Sequence, residues 1–372
     1  MSDLELLFLV LVVVYGWECA CWVGRDSTAF RTWLGRQWRM AQPGALLGNQ
    51  RGGFIFAPPL PPLGTLLVAQ QFPLSFSPQG VICGGEIGKF LRFDEIRSVE
   101  TSGRRVRVNG QLLLKAASPT FAEYLGQQLR QLSKLPSSKR AKAIEEIVRH
   151  SLDGEAVKRR WVEVQREVAK VRWPTNLMFV YLFVLAPLLI WKVGLRQSWP
   201  GLLIGVLIFT VTTAIRFRRA HKALYSAAED ERFTHFLTIL LSPATTIRAH
   251  DVLSRPALEI FHPLAIAKVF CPEQTFLQLA REVLREMRYP ARLVCAREEP
   301  MPQEAERYSR ALWLKTIEDF LARMGISPDE LMAPPAPTDA TCRSYCPRCL
   351  SQFTASEGVC PDCGWLALVA FK

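Results

Sequence analysis

Histidine is scarce in this chain, with five in 372 residues, at positions 150, 221, 235, 250 and 262. None of the five falls at a metal-ligand spacing. There is no G-x-S-x-G and no H-E-x-x-H, so the nucleophile elbow and the zinc-protease helix are both missing. The segment Cys83-Gly-Gly-Glu-Ile-Gly-Lys-Phe90 imitates a phosphate loop but lacks its ends. Cys83 stands where the leading Gly is needed, and Phe90 stands where the Mg²⁺-binding Ser or Thr is needed. Gly and Pro, at 22 and 25, are too few for a collagen-like or wholly disordered chain. Ten cysteines over this length do not make a disulfide mini-protein. The length itself fits two or three domains.

Acidic residues are also short: 46 Lys and Arg against 34 Asp and Glu leave +12. The excess has an address. Residues 25–176 hold 24 basic and 12 acidic residues, whereas residues 216–372 hold 20 and 19. A basic segment can meet nucleic acid or anionic lipid, or set membrane topology. The near-neutral C-terminal part argues against a nucleic-acid partner, because phosphate contacts need clustered cations.

Three apolar runs flank the basic segment, at residues 6–23, 177–195 and 199–215. A 19-residue helix rises about 28 Å, close to the hydrocarbon thickness of a bilayer. The first run follows an acidic start, Met1-Ser-Asp-Leu-Glu5, and no small-residue cleavage site follows it, so it reads as an uncleaved anchor. Trp173, Trp191 and Trp199 stand at the ends of the second and third runs, where interfacial aromatics belong. Only Arg196, Gln197 and Ser198 separate those runs, which makes a tight antiparallel hairpin the expectation. Ionisable groups in the spans are limited to Glu18 and Lys192, both near ends, which argues against an ion-coupled transporter. Cationic clusters after the first run (Arg25, Arg31, Arg36, Arg39), before the second (Lys158 to Arg172) and after the third (Arg216 to Lys222) all fall on one side if the N-terminus is outside. The expectation is a multi-pass protein of a bacterial inner membrane, with three transmembrane helices and its C-terminus in the cytoplasm.

The cytoplasmic chain divides by pattern. Residues 25–63 read as an irregular connector with the proline-rich stretch Ala57-Pro-Pro-Leu-Pro-Pro-Leu63. Residues 64–134 read as short strands at 66–69, 74–77, 80–83, 89–93, 97–101, 105–108 and 111–115, with a hairpin turn at Asn109-Gly110 and a closing helix to about Leu132. Phe121, Leu125, Leu129 and Leu132 share one face of that helix. Residues 135–175 form one or two basic helices, with Trp161, Val164, Val168 and Val171 on one stripe. Such a helix either lies on an anionic leaflet or packs on the β domain, and both readings stand open; the lipid contact is assigned to residues 141–172. Residues 176–217 are the hairpin. Residues 218–332 read as an all-α region punctuated by prolines, with helices at 218–241, 245–254, 257–269, 273–287 and 303–324. The run 233–241 is apolar enough to sit against a bilayer edge. A catalytic pair from His250, Asp251 or His262 in residues 220–330 would make this a membrane-bound enzyme, but helix capping and core hydrogen bonding are the expected roles of those residues.

The strongest motif is Cys346-Pro-Arg-Cys349 followed by Cys360-Pro-Asp-Cys363-Gly364. Two C-x-x-C knuckles bring four thiolates to one point, which is the soft tetrahedral set that zinc prefers. A closed four-thiolate site is structural, because no coordination position is left for substrate. Cys342 is a fifth thiol at a poorer spacing, and Ala333-Pro-Pro-Ala-Pro337 tethers the knuckles as a semi-rigid spacer within residues 333–344.

Two resemblances follow from these residues. Residues 345–372 resemble the short zinc ribbons appended to bacterial membrane proteins, through the Cys-Pro-x-Cys and Cys-Pro-x-Cys-Gly knuckles. Residues 72–133 resemble bacterial PH-like domains attached to membrane anchors, through Phe76-Ser-Pro-Gln-Gly-Val81, Leu91-Arg-Phe-Asp-Glu-Ile-Arg97, the Asn109-Gly110 turn and the closing helix. Both resemblances imply binding modules. Together with the anchor at residues 1–24, the expectation is a multidomain α+β membrane protein that scaffolds, regulates or recruits protein partners on the cytoplasmic side. A membrane-bound enzyme and a nucleic-acid-binding membrane sensor are the rival readings.

Overall fold

The computed structural model describes residues 39–41, 53–57, 67–70, 74–83, 90–116, 118–226, 228–289, 300–363 and 366–371, together with Leu6 and Val13. The described chain is mixed α and β. It is mostly helical, with four small antiparallel sheets of three strands each. The N-terminal run lies outside the described residues except for Leu6 and Val13, both helical. Residues 84–89 of the phosphate-loop imitation also lie outside them.

The strands follow the alternation of their side chains. Strands β1 (Arg39–Ala41), β2 (Gly53–Ala57) and β3 (Leu67–Gln70) pair in chain order. Strands β1 and β2 fall in a stretch expected to be irregular; the apolar run Gly-Phe-Ile-Phe-Ala finds partners on both sides. Strands β4 (Leu74–Phe76), β5 (Gly80–Cys83) and β6 (Phe90–Arg92) make a second sheet, and β7 (Val99–Ser102), β8 (Arg105–Val108) and β9 (Gln111–Lys115) a third. Val106 and Val108 point inward while Arg105 and Arg107 point outward. The β8–β9 turn is Asn109-Gly110 with φ of 52° and 78°, the left-handed pair that a two-residue hairpin requires.

The chain divides into two compact units, each discontinuous in sequence. One comprises Met1–Gln71, Val99–Gln128 and Asp153–Pro272; the other comprises Phe72–Ser98, Leu129–Leu152 and Glu273–Lys372. Helix α1 (Pro119–Lys134) contributes to both, and Phe121, Leu125, Leu129 and Leu132 are all fully buried, as their common face requires. Ser118 starts it by accepting the Phe121 N–H at 3.0 Å.

In the first unit, α3 (Gly154–Val180) begins at Asp153, whose carboxylate accepts the N–H groups of Glu155 and Ala156. The cap separates it from α2 (Ser137–Ser151) in the second unit, so the basic stretch is two helices. Val157, Val164, Val168 and Val171 are fully buried, and Trp161 meets Phe270 edge-on at 5.5 Å. The apolar stripe of this helix is therefore covered by protein. Pro174 withdraws one N–H, which frees the Lys170 carbonyl. The Arg216 guanidinium donates to that carbonyl at 3.2 Å while lying over the Trp173 ring at 4.8 Å.

The helical path continues from α3 through one wide π turn at Tyr181–Leu185 into α4 (Ala186–Val193). The Ala186 N–H bonds to Tyr181 O, and Pro187 next to it has no N–H to donate. Gly194 ends α4 with φ 86°, and α5 (Leu195–Leu224) starts immediately. The expected connection Arg196-Gln197-Ser198 is thus the first turn of α5, and glycine alone makes the bend. Tyr181 Oη lies 3.1 Å from both Gly201 O and Leu202 O of α5. Gly205 sits directly beneath: a Cβ there would lie 2.2 Å from Tyr181 Oη and 2.4 Å from Cζ.

Three spans are expected from the sequence. Among the described residues, one helix, Leu195–Leu224, is long and apolar enough to cross a membrane, with a mean hydropathy of 1.8 over its most apolar 18 residues. The 177–195 run is interrupted as a regular α-helix by the π turn. The expected single helix over 218–241 is also two: α5 stops at Leu224 and α6 (Glu229–Leu241) begins after a bend. Arg160 caps the α5 end by donating to Leu224 O, and buried Arg232 donates to the Tyr225 and Ser226 carbonyls in the bend. Short helices α7 (Pro243–Ile247), α8 (Ala249–Ser254) and α9 (Pro263–Phe270) complete the unit around α3.

In the second unit, α10 (Glu273–Arg288), α11 (Pro300–Ala322) and α12 (Pro328–Leu331) pack together, and α11 also covers β4 and β5. Arg288 bridges Glu318 at 2.8 Å and Asp329 at 3.1 Å. Arg140, 5% exposed, pairs with Asp94 at 2.8 Å, donates to the Leu132, Leu135 and Pro78 carbonyls, and lies over Phe93.

Candidate metal centre

The C-terminal sheet is built to bring two tight turns face to face. Strand β10 (Ser344–Tyr345) lies between β11 (Gln352–Phe353) and β12 (Val369–Ala370), both antiparallel to it. Cys346 follows β10 directly. Its carbonyl accepts the Leu350 N–H at 2.9 Å and its own N–H donates to Ser351 O, which closes the first knuckle. The second knuckle follows the Val359–Ala367 bridge, where the Cys360 N–H donates to Leu366 O at 2.9 Å. Leu350 closes the first turn with φ 62°, a left-handed conformation that favours glycine.

The four expected cysteines converge. The sulfurs of Cys346, Cys349, Cys360 and Cys363 all lie within 4.8 Å of one another. Cys346 and Cys363 are 3.7 Å apart, and Cys349 and Cys360 are 3.6 Å apart. A disulfide needs about 2.05 Å. Bonds of about 2.3 Å to one tetrahedral zinc place sulfurs about 3.8 Å apart, so the donor set and its spacing fit a single zinc ion. Cys346 and Cys360 are fully buried with Leu366, beneath Tyr289, Phe353 and Leu368, whereas Cys349 is exposed. Cys342 stays outside the cluster; its sulfur lies 3.6 Å from Asp339 Oδ1.

The thiols of Cys346, Cys349 and Cys363 differ in acidity. Burial pushes Cys363 up to about 12, aided by its hydrogen bonds with the other three thiols, and burial also raises Cys346. At Cys349 burial is outweighed by hydrogen bonds with the Ser351 side chain and backbone and with the neighbouring thiols, which hold it down to about 7. Four such groups this close ionise together only around a cation. The bound metal would crosslink the two knuckles, and the protein's part is to aim four sulfurs and keep two of them dry.

The spacer is tied to this platform. The Gln352 side chain donates to Ala336 O at 2.8 Å and accepts the Thr338 N–H at 2.7 Å. No sequence signal marks Gln352 or Tyr289 for these roles, because each depends on a partner distant in the chain.

The histidines of the enzyme reading are placed differently. His262 caps α9, its Nδ1 accepting the Leu264 N–H at 3.2 Å, and burial pulls it down to about 3. A histidine held neutral in this way serves as a cap. His250 is fully buried in α8. The Asp251 side chain lies outside the described residues. The sequence reading missed Gly201-Leu-Leu-Ile-Gly205, a small-x-x-x-small pattern that lets a neighbouring helix approach closely and that was legible from spacing alone.

No protein-family model matches the chain, no curated protein is similar to it, and no solved structure matches its fold.

Proposed function

We propose that the chain is an integral membrane protein whose hairpin, residues 177–215, crosses the bilayer together with an N-terminal anchor at 6–23. The N-terminus is outside and the bulk of the chain is cytoplasmic. The observation that carries this reading is the outward surface of the hairpin. Leu177, Val180, Val184 and Leu188 on one arm, and Ile204, Leu207, Ile208 and Val211 on the other, are all 38–60% exposed. An apolar surface of this extent is a liability in water and ordinary in lipid. Both arms change character at one level, because Trp173 and Arg216 touch. Above that contact the outward residues are apolar; below it stand Arg166 and Lys170 on one arm and Arg218, Arg219 and Lys222 on the other. Trp191, 79% exposed, marks the far end. The rise from Trp173 to Trp191 is about 27 Å, close to the hydrocarbon thickness.

On the cytoplasmic side the reading assigns binding modules: a zinc ribbon at 345–372 and a PH-like element at 64–134. The four-thiolate cluster supports a structural metal, and structural zinc supports a recruitment surface better than a catalyst. The function is scaffolding, regulation or partner recruitment at the membrane. The test is affinity purification of the full chain in mild detergent, beside the Cys360→Ser variant. Copurifying proteins that are lost with the variant are expected; an identical set from both would remove the ribbon from the function.

A further inference from the structure

Helix α6 carries an outward stripe that the hairpin reading leaves unexplained. Phe233, Leu237 and Leu241, spaced by four residues, are 62%, 39% and 82% exposed. The helix runs antiparallel along the cytoplasmic end of α5, and three ring contacts set its height. Phe217 and His235 lie 5.9 Å apart, His221 and His235 6.3 Å, and the Arg218 guanidinium 5.6 Å from the Phe236 ring. His235 is therefore level with α5 just below the Trp173–Arg216 boundary. Leu241 is six residues further on, about 9 Å nearer the apolar belt, level with Thr213. Leu237 stands at the boundary, and Phe233 about 6 Å on its polar side.

We infer that α6 inserts obliquely into the cytoplasmic leaflet, with Leu241 and Leu237 among acyl chains and the cations beside it among anionic headgroups. The inference rests on the hairpin reading and adds a third membrane contact to it. Three features favour an anionic leaflet as the occupant. The stripe is continuous with the exposed face of α5 through Val211 and Ile215. Arg218, Arg219 and Lys222 on α5 are exposed at the headgroup level beside it. The acidic residues Glu229, Asp230 and Glu231 fall in the first turn of α6, at the end furthest from the belt. This is the charge pattern of a helix held at an interface, apolar side in and cations at the phosphates.

The test reconstitutes the full chain in vesicles of three parts phosphatidylcholine to one part phosphatidylglycerol, with nitroxide-labelled acyl chains. An environment-sensitive fluorescent amino acid replaces, one at a time, Leu241, Ile208 on the belt, or Ala223 on the exposed lower end of α5. Quenching of roughly twofold or more at Ile208 and Leu241, with none at Ala223, is expected for acyl-chain contact. Quenching at Ile208 with Leu241 behaving like Ala223 overturns the α6 inference and leaves the hairpin standing. An unquenched Ile208 overturns the hairpin reading, and this inference with it. In vesicles of phosphatidylcholine alone, quenching at Leu241 should fall relative to Ile208; an unchanged ratio removes the anionic requirement.

Discussion

Replacing Gly205 by alanine should change sign with the residue at position 181. In the native chain the new Cβ would sit 2.2 Å from Tyr181 Oη and 3.0 Å from Cε1, so the ring has to move off α5. That movement breaks the hydroxyl's bond to the Gly201 or Leu202 carbonyl, about 1 kcal/mol. Repacking strain adds about 1–3 kcal/mol. Alanine returns about 1 kcal/mol through its helix propensity. The net is a destabilisation of about 1–3 kcal/mol. With Tyr181→Ala already in place there is nothing to displace, and Gly205→Ala should stabilise by up to about 1 kcal/mol. Unfolding of the detergent-solubilised full chain, measured for the four members of the cycle, gives the coupling directly. The same sign in both backgrounds would refute the close packing of the two arms.

Further outcomes follow from other contacts. Arg216→Met should cost about 1 kcal/mol, as it removes a hydrogen bond and a ring contact. The cost should shrink with Pro174→Ala, whose regained N–H can bond the Lys170 carbonyl; an equal cost in both backgrounds contradicts that role for Arg216. The purified chain should carry about one zinc by elemental analysis, and Cys360→Ser should lower that content and the stability of residues 345–372 together. His262 binds its proton more weakly when folded than unfolded, so its contribution is complete above about pH 6.5 and is lost as pH falls toward about 3. The slope from this residue is about 1.4 kcal/mol per pH unit within that window. His262→Asn, which caps without titrating, should flatten the pH dependence of the unfolding midpoint between pH 6 and 4; an unchanged profile removes the histidine from it.

Local chemistry was readable wherever neighbours in sequence are neighbours in space. Asn109-Gly110 specified its hairpin, and the spacing of Phe121, Leu125, Leu129 and Leu132 specified a buried face. The two knuckles announced a cluster of four sulfurs, which converge. Interactions that join distant segments were not readable. The hairpin bend at Gly194 depends on one backbone angle, whereas the polar triplet after it looked like the natural turn. The stripe of α3 fitted a membrane surface or a protein core equally well, and only its partners in the fold show it covered by protein. Strand β2 lacked period-two alternation and became visible through its two neighbours. The π turn reflects Pro187 acting on a helix whose hydropathy is otherwise uniform.

The placement of the hairpin is tested most directly from outside the sealed membrane. A membrane-impermeant maleimide applied to intact spheroplasts should label Gln197→Cys above the parent chain, while a tag after Lys372 should stay closed to protease until the membrane is opened. A tag cleaved from outside, or a position 197 labelled only after permeabilisation, would contradict the proposed topology.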